Sequence, residues 1–201
     1  MFYRMLSKML DYPNEGLLSV AWEIRERSRQ AEGLSPAERK TIAEFMDFIE
    51  SMPLTELQGH YVVTFDLTPE HALHLTHHIF GDDKNRGPAL IDLSEHYKAY
   101  GLELPVQETV NEVANNAANN ATKDENCDET DGSNSTNELP DFLPLMLEFA
   151  GHLGPEEAQV FLSQWSKVLN QLATNLEKAK SPYSTLIRLI EQRSQLIRAA
   201  A

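Results

Sequence analysis

The sequence predicts an all-α fold: a single helical-bundle domain over residues 1–201, built from about eight to nine helices and interrupted by one disordered insertion. Three observations carry that prediction. Apolar residues recur at three- and four-residue spacing through nearly every stretch that has apolar residues to place. Helix start signals, a capping residue followed by Pro, punctuate the chain at Ser35, Thr68, Gly154 and Ser181. No stretch sustains the strict alternation of a half-buried strand.

The elements follow in order. Phe2, Met5, Leu6, Met9 and Leu10 share one face of a first helix, which Tyr12-Pro13 ends. Asn14 caps a second, with Leu17, Leu18, Ala21 and Ile24 on one side. Ser35-Pro36-Ala37-Glu38 is a capping box with Pro at the first helical position, and Ile42, Phe45, Met46 and Ile49 form the stripe behind it. After Met52-Pro53 the stripe Leu54, Leu57, Tyr61, Phe65 makes Tyr61-Val-Val-Thr-Phe65 helical despite its β-branched content. Thr68-Pro69 predicts a helix across His71 to Phe80. Ala89, Leu90, Leu93 and Tyr97 predict another, stopped by Gly101 in the left-handed conformation. Phe142, Leu145, Met146 and Phe149 line a short helix. Gly154-Pro155 opens the longest, through Phe161, Trp165, Leu169, Leu172 and Leu176. Ser181-Pro182 starts the last, with Leu186, Ile187, Ile190 and Ile197.

Residues 105–137 differ in kind. These 33 positions hold eight Asn, seven acidic residues and one Lys, with no aromatic residue, Leu or Ile. Such a composition buries too little apolar surface to offset chain entropy, so the segment is predicted to be a disordered insertion.

Composition narrows the function. With 201 residues and 41% hydrophobic content the chain can bury a sizeable core. Cys127 is the only cysteine, so no internal disulfide forms, in keeping with a cytoplasmic protein. No run of about 18 apolar residues is present to span a membrane. Net charge is −14, and residues 41–150 carry 4 Lys and Arg against 21 Asp and Glu. Acid so concentrated repels nucleic-acid phosphates and attracts a basic polypeptide.

No constellation for catalysis is found. There is no Gly-x-Ser-x-Gly elbow, no Cys–His signature and no Gly-rich phosphate loop. His71, His74 and His78 fall at i, i+3 and i+7 on one face of the predicted helix, with His77 beside them, which raises a metal-binding alternative; without Cys or a third fixed ligand no metal site is assigned. Exposed charge beside apolar helix faces suits a protein that holds another protein. The candidate partner-binding residues are Tyr61, Phe65, Asp66, His78, Asp82, Asp141, Phe142 and Glu148, with Asp66 and Asp141 expected to face the partner from aromatic-rich segments. Arg86, Gly87 and Asp92 are expected to form a structural clamp, Arg86 holding a carboxylate between glycine-bounded turns.

Several of these residues also carry a family likeness. Leu10-Asp-Tyr-Pro13, Tyr61-x-x-x-Phe65-Asp66, His78-x-x-Gly81, Arg86-Gly87-x-Ala89-x-x-Asp92-Leu93 and Leu139-Pro140-Asp141-x-Leu143-Pro144 appear in order. In these the sequence resembles the NarJ-type chaperones that assemble molybdenum-containing respiratory nitrate reductase, a branch of the TorD-like maturation proteins. The likeness covers nearly the whole chain except 105–137, and Phe142 stands where many of the wider family have His. The resemblance implies a non-catalytic, all-α chaperone that binds the amino-terminal peptide of the catalytic (alpha) subunit. It would keep that subunit competent for molybdenum cofactor insertion and delay membrane docking, the cofactor being handled by the client. A subunit retained in the respiratory complex is the remaining alternative.

Overall fold

Helix α1 (Phe2–Leu10) turns Phe2, Met5, Leu6, Met9 and Leu10 inward, so the first element of the chain gives one face to the core. The structure is a computed structural model and describes residues 1–81, 83–102 and 138–195. Asp82, the 105–137 segment and Ile197 therefore lie outside the described residues. Helix α2 (Glu15–Gln30) starts where Asn14 accepts a hydrogen bond from Leu17 N at 2.9 Å. At the start of α3 (Pro36–Glu50) both halves of the capping box form, Ser35 N to Glu38 Oε2 at 2.7 Å and Glu38 N to Ser35 Oγ at 3.2 Å.

Helix α4 (Leu54–Tyr61) continues without a break into a π-helical turn, Val62–Asp66. The Tyr-Val-Val-Thr-Phe stretch is thus helical, and its widened turn keeps both Thr64 and Phe65 inside. A 3-10 turn (Pro69–His71) and a four-residue helix α5 (His77–Phe80) follow, then α6 (Arg86–Ala99). Gly101, at φ +78°, lets Leu102 N reach back to Tyr97 O at 3.1 Å and close α6. The remaining helices are α7 (Leu143–Ala150), α8 (Pro155–Ser163), α9 (Ser166–Lys178) and α10 (Tyr183–Gln195).

The described residues thus form ten α-helices and no strand, where about eight to nine helices were expected. Two expectations change. The helix predicted across His71 to Phe80 is broken, because Leu73 to Leu75 pair with Asp141 to Leu143 around a single antiparallel bridge, with Leu143 N to Leu73 O at 2.9 Å and Leu75 N to Asp141 O at 3.0 Å. The long helix expected from Pro155 is two helices, broken at Gln164 and Trp165, and the break lets both α8 and α9 lie against α10.

Packing is mutual around one buried cluster. Helix α7 covers α1, while α8, α9 and α3 surround α10. Tyr183, 1% exposed, is an aromatic hub: its ring centroid lies 4.8 Å from Phe65, 5.2 Å from Phe45 and 6.0 Å from Tyr61. Edge-on contacts of this kind add to the area each ring buries.

Candidate partner-binding surface

The segment Leu139–Phe142 is pinned from several sides. Pairing with Leu73 and Leu75 holds its backbone, and Tyr97 donates its hydroxyl to Pro140 O at 2.6 Å. Thr76 N donates to Asp141 Oδ2 at 3.1 Å, and the Thr76 hydroxyl donates to the same oxygen. Arg86 Nε donates to Thr76 Oγ1 at 3.0 Å, and Arg86 Nη2 stands 3.6 Å from Asp141 Oδ2. Asp141 is 0% exposed and its Oδ1 has no hydrogen-bond partner. This corrects the expectation that Asp141 faces a partner: it is enclosed, and it is the carboxylate beside Arg86. A buried carboxylate persists where donors and a countercharge surround it, and Thr76 and Arg86 supply them.

The other expected clamp members do not join. Gly87 lies in the first turn of α6, exposed and with open space around it, so it supplies no turn and no close approach. Gly81 is the glycine that needs its freedom, at φ +54°. Asp92 is exposed on the outer face of α6 and makes no ion pair among the described residues.

Tyr61 and Phe65, expected to touch a partner, are core residues at 4% exposure each. Tyr61 gives its hydroxyl to Leu10 O at 3.1 Å and packs on Phe65 at 4.8 Å. Their stripe is the inner face of α4 and of the π-helical turn that continues it. Phe142 is half-buried against the His74 ring at 5.2 Å. Asp66 and Glu148 are exposed.

The three histidines of the metal alternative take separate roles once their helix is broken. His71 is buried with Nδ1 3.1 Å from Thr64 O, His74 packs on Phe142, and His78 places Nε2 2.7 Å from Ala72 O. Among the described residues no three potential metal ligands converge. Burial holds His78 below the ordinary imidazole pKa, against the opposing effect of its bond to Ala72 O. The folded state therefore resists a proton that the unfolded chain accepts. Stability is unaffected by this group above about pH 6.5 and is lost as pH falls below it. Urea melts near pH 7 and near pH 5 check this: His78→Gln should lose less stability on acidification than wild type.

The exposed surface that does gather chemistry lies where α1 ends beside the π-helical turn. Burial raises the Tyr61 phenol above its ordinary pKa, and the negative charges of Asp11, Asp66 and Glu138 push the same way. Tyr12, 44% exposed, sits edge-on to Tyr61 at 5.4 Å. Val63 and Leu67, 61% and 70% exposed, stand on the turn that carries Asp66. Gln58 Nε2 bonds Pro13 O at 2.9 Å and fixes the Tyr12-Pro13 turn to α4. Sequence reasoning missed Asp11, Tyr12 and Glu138. Tyr12-Pro13 read as a helix terminator, and nothing local says that its ring and the neighbouring carboxylate meet a helix some fifty residues on.

An all-helical core with one acidic, partly apolar face and an internally clamped strap defines the class: a helical bundle built around surfaces. The family model described as nitrate reductase delta subunit matches residues 31–115. The chain is 25% identical over 186 residues to the nitrate reductase molybdenum cofactor assembly chaperone NarJ of Escherichia coli (strain K12), covering 92% of this chain and 66% of that one. It is 28% identical over 152 residues to the probable nitrate reductase molybdenum cofactor assembly chaperone NarJ of Bacillus subtilis (strain 168), covering 76% and 66%. It is 27% identical over 190 residues to the nitrate reductase-like protein NarX of Mycobacterium tuberculosis (strain ATCC 25618 / H37Rv), covering 94% of this chain and 23% of that one. The chain spans about two thirds of the length of its two NarJ relatives. The chain is thus similar, over most of its length, to proteins named as nitrate reductase molybdenum cofactor assembly chaperones.

Proposed function

We propose that this protein is a dedicated assembly chaperone for a respiratory nitrate reductase. It binds the apo catalytic subunit through that subunit's amino-terminal segment, keeps it competent for molybdenum cofactor insertion and prevents premature membrane docking. The observation that carries this reading is a match, over 92% of the chain, to a protein named as a nitrate reductase molybdenum cofactor assembly chaperone. The surface supports it: exposed Asp66 stands on the same turn as exposed Val63 and Leu67, and acid beside apolar surface suits a basic, amphipathic peptide. In this reading the chain performs no catalysis and holds no cofactor of its own; the molybdenum cofactor belongs to the client. It works in the cytoplasm, and no helix among the described residues is long and apolar enough to cross a membrane.

The test is calorimetry with a synthetic peptide copying the amino terminus of the cognate catalytic subunit, paired with a pull-down from nitrate-respiring cells. Binding should occur and weaken as salt screens the carboxylates. No heat at peptide concentrations far above micromolar, with no catalytic subunit recovered, overturns the reading. A second reading is favoured by the description of the matching family as a delta subunit. If the chain copurifies one-to-one with cofactor-loaded membrane enzyme, it is a retained subunit.

A further inference from the structure

Helix α5 (His77–Phe80) is a single turn that buries none of its four residues, and Ile79 on it is 53% exposed. Apolar burial therefore does little to seat it. Its own backbone bonds, Phe80 N to Thr76 O at 2.9 Å and Gly81 N to His77 O at 2.8 Å, are too few to hold an isolated turn. The two ends differ in freedom. Before α5, Thr76 is fully enclosed and gives both its backbone N–H and its hydroxyl to Asp141. After it, Gly81 takes φ +54° with open space around it, and Arg86 further on returns to Thr76 Oγ1. Among the described residues, the one side-chain hydrogen bond made by α5 joins His78 Nε2 to Ala72 O at 2.7 Å.

That bond fixes the chemistry of the ring. A carbonyl only accepts, so Nε2 carries the proton, and acid adds its second proton at Nδ1. Three titratable groups face His78: His77 from the same helix, His71 from the 3-10 turn and Asp141 from the strap. The two imidazoles oppose a positive charge there. Asp141 favours one, but its Oδ2 is already shared by Thr76 and Arg86. Burial is the largest effect and opposes the charge, so a protonated ring is better placed in water than beside Ala72 O.

We propose that His78 is a proton-sensitive latch: neutral, it holds α5 closed against Ala72, and on protonation its ring leaves for solvent and α5 swings out about Gly81. Thr76 and Arg86 stay with Asp141, so the flap opens without releasing the strap. The sign follows from which form binds the proton more readily. The closed flap keeps His78 below its ordinary pKa, so the open flap takes the proton first. Opening is therefore independent of pH above about 6.5, and below it grows by up to about tenfold per pH unit until the folded pKa is passed. The latch is independent of the chaperone reading.

Amide hydrogen exchange read by NMR near pH 7 and near pH 5, corrected for the intrinsic pH dependence of exchange, tests it. In the wild type the Phe80 and Gly81 amides should lose protection on acidification. The Leu75 and Thr76 amides, which bond Asp141, should keep theirs. His78→Gln supplies an amide that donates to Ala72 O without titrating, so its Phe80 and Gly81 amides should stay protected at both values. His78→Ala removes the donor and should leave them exchanging fast at both. Unchanged protection of Phe80 and Gly81 in the wild type overturns the proposal, and that comparison needs no variant to fold. So does loss at all four amides together, which is loosening of the strap rather than of the flap, and so does a His78→Gln protein that opens on acidification like the wild type.

Discussion

Replacing Asp141 with alanine is expected to lower stability by about 2–4 kcal/mol, because it removes the acceptor on which a buried network converges. Thr76, itself 0% exposed, would lose the partner of its backbone N–H and of its hydroxyl, and Arg86 would lose its counterion. The same acceptor helps hold the Leu139–Phe142 strap against Leu73–Leu75, so the strap should loosen along with the global loss. Arg86→Ala should cost less, about 1–3 kcal/mol, since its side chain is 25% exposed and Thr76 still donates to the carboxylate. Urea denaturation of the two single variants and the double variant separates the terms. Strong coupling between the two sites is the expected outcome. An Asp141→Ala protein that unfolds at the wild-type urea midpoint would show that the enclosed carboxylate does not hold the strap.

Tyr183→Ala is expected to be at least as damaging, about 3–5 kcal/mol, for a different reason. Its ring is the shared neighbour of Phe45, Phe48, Tyr61 and Phe65, which come from α3, α4 and the π-helical turn. Truncation opens a cavity at the junction of three elements, and none of those rings can collapse into it without leaving its other contacts. Tyr183→Phe keeps every ring contact and should stay within about 1 kcal/mol of wild type. Thermal and urea unfolding of the pair gives the comparison. If the phenylalanine variant falls as far as the alanine one, the hydroxyl rather than the packing holds the hub.

These two sites also mark how far the residues could be read unaided. The apolar stripe Leu54, Leu57, Tyr61, Phe65 implied a core-facing helix, and Tyr61 and Phe65 are in the core. Treating them in addition as partner contacts overlooked that one face of a helix cannot serve both purposes. Asp141 was expected to face the partner because it lies in an aromatic-rich segment where the bundle could expose a groove; its burial depends on Arg86 and Thr76, distant in sequence. Arg86 was expected to hold a carboxylate, but the sequence offered no means of choosing which one.

What the sequence determined by itself is the all-α character of the fold and the ends of its well-signalled helices. Asn14, Ser35 with Glu38, and Gly101 each satisfy backbone groups within a few residues of themselves, so their effect is written locally. Tertiary structure alone decided the fate of residues 71–80, where pairing of Leu73 and Leu75 with the strap outcompetes helix formation. It also decided the break at Trp165, the burial of Asp141, and the meeting of the Tyr12 and Tyr61 rings. Each of those outcomes joins groups far apart in the chain, and their free energy exists only after the intervening helices have packed.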